Sequence, residues 1–166
     1  MKAMFLLLIL LFCTITDIKE RRIYNEVLLI GIILALILNL HESRTTGLLE
    51  MIKGMAIGTS VFFIPYLLGW LGAGDAKLTG IIGAFEGWRF VLYCTLSIAV
   101  AGGLISVFLL IRDRKTGSLF QNLHMLFLTK SPHYLHDKEQ QHTFPYAAAI
   151  LIGTGITLVL QVIGYV

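Results

Sequence analysis

Residues 90–111 and residues 144–166 contain no charged side chain. Runs of this length reach the roughly 20 apolar residues that an α-helix needs to cross a bilayer, and they constrain the fold more than any other feature. Shorter or less pure apolar runs fill residues 3–15, 27–40, 51–70 and 76–85. The whole chain is 57% hydrophobic and 14% charged, with a mean hydropathy of +0.82. Such a composition excludes an ordinary soluble domain. The expectation is an all-α, polytopic integral membrane protein with six transmembrane helices, forming a single membrane-embedded domain over residues 1–166. The net charge of +3 is small. No basic stretch is interleaved with aromatic residues, so nucleic acid is not expected as a partner; the lipid bilayer is.

The first run, residues 3–15, is too short to span alone. No small-residue cleavage site follows it, so it reads as a first membrane helix rather than a signal peptide. That helix should continue through Thr16 and Asp17, bringing Asp17 to the membrane boundary. A basic loop follows, with Lys19, Arg21 and Arg22. Residues 41–50 read as a polar outer connection between the second and third spans. Pro65 and Tyr66 sit near the end of the third, and Pro65 predicts a kink into the glycine-rich turn beyond. Residues 86–89 read as a turn at the far interface, with Trp88 as anchor and Glu86 solvated. Gly102 and Gly103 predict close helix packing. Residues 112–143 form a polar loop in which residues 119–128 suit a short helix on the membrane surface.

Basic residues orient the chain. If the loops after spans one, three and five are cytoplasmic, they hold nine of the thirteen lysines and arginines. The positive-inside bias then puts both termini outside and the ends of the helices carrying Asp17 and Asp75 on the cytoplasmic side.

Asp75 is the most informative residue. It stands in Leu71-Gly72-Ala73-Gly74-Asp75-Ala76-Lys77-Leu78, between two apolar runs. An ionisable group in such a setting points to function and needs a partner. Asp17 meets it at the same side of the membrane. Two facing aspartates can hydrolyse a peptide bond without metal or cofactor: one, ionised, takes a proton from water, and the other, protonated, donates to the carbonyl. Like charges close together cannot both ionise cheaply, so such a pair holds one proton between them.

Gly72-Ala73-Gly74-Asp75 forms a Gly-x-Gly-Asp motif, extended by Lys77, Leu78, Gly80 and Gly83. Asp17 leads into Arg21-Arg22-Ile23-Tyr24-Asn25, and Pro145-Tyr146-Ala147-Ala148-Ala149-Ile150 follows late in the chain. In these three segments, in this order, the chain resembles the type IV prepilin peptidases, a family of Gly-x-Gly-Asp membrane aspartic proteases. The resemblance implies that Asp17 and Asp75 are catalytic. It also implies a pilin or pseudopilin precursor as substrate, cut at its basic leader on the cytoplasmic face of a bacterial or archaeal cytoplasmic membrane. Tyr24 stands where the family has proline. Only residues 18–25 separate the first two spans, and no Cys-x-x-Cys is present. The resemblance is therefore to the short, peptidase-only members, without methyltransferase activity.

Gly72, Gly74, Lys77 and Asn25 are candidates for substrate binding or loop positioning. The glycines leave room for a substrate backbone beside Asp75. Lys77 suits an interfacial anchor or a modulator of the carboxylates, and Asn25 a helix cap or a group orienting Asp17. Tyr66, Pro145 and Tyr146 read as packing and anchor residues at the edge of a cleft. Cys13 and Cys94 read as small core residues. His124, His133, His136 and His142 share one loop but lack the i, i+4 spacing of ligands on a helix, so neither a metal nor a cofactor is expected. Two other functions fit the aspartates: a presenilin-like protease cutting within spans, and a transporter or channel using Asp17 and Asp75 as a proton or cation site.

Overall fold

A computed structural model of the chain describes residues 2–69, 71–112 and 146–164. Among these residues the fold is all-helical, with α1 (Lys2–Glu20), α2 (Asn25–Leu67), α3 (Ala73–Glu86), α4 (Trp88–Arg112) and α5 (Tyr146–Ile163). The chain divides into two compact units, Met1–Gly102 with Pro145–Val166, and Gly103–Phe144. The packing described below belongs to the first unit; in the second, the described residues continue α4. The surface helix expected at 119–128, the four histidines and Pro145 lie outside the described residues.

Among the described residues, four segments are long and apolar enough to cross a membrane: Asn25–Glu42, Thr46–Leu67, Trp88–Phe108 and Tyr146–Ile163. Two of the six expected spans do not meet that measure. α1 carries Lys2, Asp17, Lys19 and Glu20 within its 19 residues. α3 has 14 residues, about 21 Å of helix, short of the roughly 30 Å hydrocarbon core.

α3 is instead the enclosed element. Every residue from Asp75 to Phe85 except Lys77 is buried. Both halves of α2 pack on it. Ascending α2, Asn25 meets Lys77, Gly31 meets Ile81 and Asn39 meets Ala84. Further on, Gly54 meets Gly83 and Gly58 meets Thr79, now in descending order. In a straight helix Gly31 and Gly54 would lie about 35 Å apart, yet they touch α3 residues two positions from each other. α2 therefore reverses direction around the polar segment read as a connection, while that segment, residues 41–50, is itself helical. The reversal places two strips of α2 on either side of α3.

Close approach on one strip is made possible by glycine. A Cβ on Gly54 would stand 2.0 Å from the Gly83 carbonyl oxygen, and one on Gly83 would stand 2.0 Å from that of Gly54. α4 and α5 pack against each other along a seam of small and hydroxyl residues: Cys94 Sγ lies 3.3 Å from Thr154 Oγ1, Thr157 Oγ1 donates to Ser97 Oγ at 3.0 Å, and Gly153 sits against Ile98. Small side chains bring helices together where lipid supplies no hydrophobic drive. Of the two glycines expected to do this in α4, Gly102 meets the Tyr146 ring, whereas no described residue lies within 4 Å of a Cβ at Gly103. Pro65 lies inside α2 two residues before its end, and Gly69, at φ +74°, takes the chain out of the helix.

Candidate active site

Asp17 lies in the last turn of α1 and is partly buried. Its Oδ2 accepts the backbone N–H of Ala147 at 3.3 Å. Ala147 is the second residue of α5, and the first N–H groups of a helix have no acceptor within it. A carboxylate supplied by another helix satisfies one of them and meets the positive end of the helix dipole. One turn before Asp17, the buried Thr14 places its hydroxyl 2.8 Å from the Leu10 carbonyl oxygen and 3.2 Å from that of Ala147.

Asp75 is the third residue of α3 and 8% exposed. Its N–H donates to the Gly72 carbonyl at 3.1 Å, and its Oδ2 accepts the Gly72 N–H at 3.2 Å. This reciprocal bonding is that of a capping box, with a backbone carbonyl taking the place of the usual Ser or Thr hydroxyl. Among the described residues, Asp75 Oδ1 is buried without a hydrogen-bond partner. Asp75 lies within electrostatic reach of both Asp17 and Tyr146. The Tyr146 ring meets Phe62 edge-on, with centroids 6.2 Å apart. The first turn of α5 thus touches Asp17 through its backbone and neighbours Asp75 through its first side chain.

The remaining predicted residues surround the same turn. A Cβ on Gly72 would stand 3.3 Å from Asp75 Oδ2, and one on Gly74 would stand 3.0 Å from Ile23 Cβ. Space expected beside Gly74 for a substrate backbone is therefore occupied by Ile23, from the short loop between α1 and α2. That loop carries Arg21 at φ +53°, unusual for a residue with a side chain, and the Tyr24 hydroxyl donates to the Glu20 carboxylate. Lys77 Nζ donates to Asn25 Oδ1 at 3.0 Å in an exposed bridge between α3 and α2. Asn25 does not cap α2: the residue preceding that helix is Tyr24, with no side-chain cap, and the Asn25 side-chain carbonyl receives Lys77. Tyr66 is exposed and lies against Phe63.

Glu86, read as solvated, ends α3 with one carboxylate oxygen buried and, among the described residues, unpartnered. The enclosure of α3 draws its last residue inward, far from the aspartates. Near it Lys2 bonds Asn39 at 2.9 Å and pairs with Glu42. Among the described residues, no three His, Cys, Asp or Glu side chains converge as a metal site would.

The sequence reading missed Thr14 and the Ala147 N–H. The one signal available was a hydroxyl residue a turn ahead of Asp17 in an apolar helix; its acceptor lies 133 positions away.

Residues 4–107, which include both aspartates, match the model of a family described as the type IV leader peptidase family. The chain is similar to the prepilin leader peptidase/N-methyltransferase of Myxococcus xanthus (strain DK1622), with 29% identity over 102 residues. That alignment covers 57% of this chain and 29% of the relative, so the chain spans less than a third of that protein's length. No solved structure matches it.

Proposed function

This chain belongs to the type IV leader peptidase family, and from that premise we propose that it is a membrane aspartic endopeptidase. It removes the basic leader from pilin-like precursors at the cytoplasmic membrane face, with Asp17 and Asp75 as the catalytic pair. The observation that carries the reading is Asp75 Oδ1, buried and unpartnered among the described residues, on a carboxylate within electrostatic reach of Asp17. A buried carboxylate oxygen without a partner is costly. Sharing one proton with a second carboxylate lowers that cost and poises the pair for acid–base work.

In the reaction, a water held by the pair loses its proton to the ionised aspartate as its oxygen bonds the scissile carbonyl carbon. The protonated aspartate gives its proton to the carbonyl oxygen. When the C–N bond breaks, the departing amine takes up the proton gained from water, and the proton on the former carbonyl oxygen returns to the other carboxylate. The pair ends as it began. A substrate with an apolar helix after its leader can lie in the bilayer while the leader remains in water. On this reading the exposed Lys77–Asn25 bridge and Ile23 over Gly74 hold the turn before Asp75 in place. The short α1–α2 loop carries no cysteine pair, and the new N-terminus leaves unmethylated.

Incubation with a candidate pilin precursor, followed by mass measurement, tests this directly. Two products divided at the leader junction are expected, unchanged by EDTA. Cleavage within the apolar helix would favour the presenilin-like alternative. Ion flux with no peptide product would favour the transporter. Activity lost in EDTA and restored by zinc would overturn the metal-free pair.

On this reading α1 and α3 also lie in the membrane beside the four long segments, and the bias of basic residues toward the cytoplasm puts both termini outside. Cys13 and Cys94 are both buried, so a single introduced cysteine reports alone. Arg22→Cys should resist a membrane-impermeant thiol reagent in intact cells, and His41→Cys should be labelled. The reverse pattern would invert the topology.

A further inference from the structure

We propose that Thr14 is a positioning residue for Asp17: it holds the first turn of α5 against α1, keeps the Ala147 N–H on Asp17 Oδ2, and so makes Asp17 the aspartate that receives the proton of water. The proposal rests on the peptidase reading above. A threonine in a helix commonly bonds the carbonyl four residues back, as Thr95 does to Val91. Thr14 does this to Leu10 and also reaches the Ala147 carbonyl of another helix, in a setting where it is 6% exposed. Ala147, fully buried, is thereby contacted at both of its backbone polar groups: its carbonyl shares the single Thr14 hydroxyl proton with the nearer Leu10 carbonyl, and its N–H donates to Asp17. The two attachments sit one turn apart on α1, and together they fix how α5 meets Asp17.

The two aspartates differ in what surrounds them. Each accepts one N–H at the positive end of a helix, Asp17 from α5 and Asp75 from the start of its own α3, and such a bond favours the charged form; the difference lies in burial, since Asp17 is only partly buried. The other charged and titratable groups near it are Cys13 on its own helix, Arg21 in the loop after that helix, and Asp75 on α3; Tyr146 on α5 acts on Asp75. Asp75 has one oxygen on the Gly72 N–H and the other buried and, among the described residues, without a partner, which favours the protonated form. Asp17 then enters the reaction ionised and Asp75 enters carrying the proton.

The test uses the full chain in detergent with a pilin precursor. Thr14→Val keeps the shape and removes the hydroxyl. It should lower kcat about three- to tenfold, the scale of one lost hydrogen bond, with KM held within about twofold. The acid limb of the kcat profile should move to higher pH, because the base is then less favoured in its ionised form. Thr14→Ser should restore both. Should Thr14→Val not insert, Thr14→Ala takes its place.

A second measurement is independent of activity. In an Asp75→Asn background, the infrared carboxylate signal that disappears on adding Asp17→Asn belongs to Asp17 alone. Its midpoint should rise with Thr14→Val and return with Thr14→Ser. An unmoved midpoint, or a serine variant that behaves like valine, overturns the proposal. A midpoint that moves as expected, with no precursor cleaved by any form, overturns the peptidase reading and leaves Thr14 as the residue that positions Asp17.

Discussion

Asp17→Asn and Asp75→Asn should each lose precursor cleavage by about a thousandfold or more, the scale of removing a positioned acid or base and the activation of its water. Neither should unfold the protein. In Asp17→Asn the side-chain carbonyl can still accept the Ala147 N–H, and in Asp75→Asn it can still accept from Gly72. What the amide lacks is the ability to share a proton with the opposite carboxyl. If the reacting geometry brings the carboxylates to about 4 Å at an effective dielectric of about 20, their repulsion when both ionised is about 4 kcal/mol. That separates the two proton losses by about 3 pK units. Cleavage should hold over a broad pH range and fall at both ends, and the two limbs belong to the pair rather than to either residue alone. The measurement is turnover of precursor by each variant beside its thermal unfolding in detergent. Near-normal turnover in either variant removes the pair from the mechanism. Lost turnover accompanied by lost folding in both would leave the carboxylates with a structural role.

How far the sequence led to this site depended on the range of each interaction. Asp75 was legible because a charge between apolar runs has no bland explanation at low cost. The expectation that Asp17 lies near it rested on topology, since the positive-inside bias assigns both helix ends to one side. Interactions set by tertiary register were not legible. Lys77 and Asn25 were both noticed, but nothing in their local sequence shows that they bond each other across 52 positions. Ile23 against Gly74 and Thr14 against Ala147 are of the same kind. The polar segment at 41–50 marked the reversal between two spans, while its helical state, allowed by residues such as Leu48, Leu49 and Glu50 with good helix propensity, could not be told from a loop by polarity alone. Glu86 was misjudged because a charged residue beside Trp88 looks interfacial until the enclosure of α3 is known.

That enclosure leads to the largest expected effect on stability. Gly83→Ala should destabilise the protein by about 3 kcal/mol or more, at or above the top of the usual range for overpacking. A Cβ at Gly83 would lie 2.0 Å from the Gly54 carbonyl oxygen and 2.4 Å from its carbonyl carbon. These are backbone atoms, so no rotamer change can make room, and α2 and α3 must separate. α3 carries Asp75 in its first turn and is buried along nearly its whole length, so a shift of its far end has no free surface to absorb it. The control is Gly103→Ala in α4, where no described residue lies within 4 Å of the added carbon. The same chemical change there should be neutral or slightly stabilising, since alanine favours helix over glycine by up to about 1 kcal/mol. Both variants are compared by thermal unfolding in the same detergent and by folded yield. Equal stability of the two would show that α2 and α3 do not approach as closely as their backbones indicate, and the glycines of α3 would then need another explanation than contact with α2.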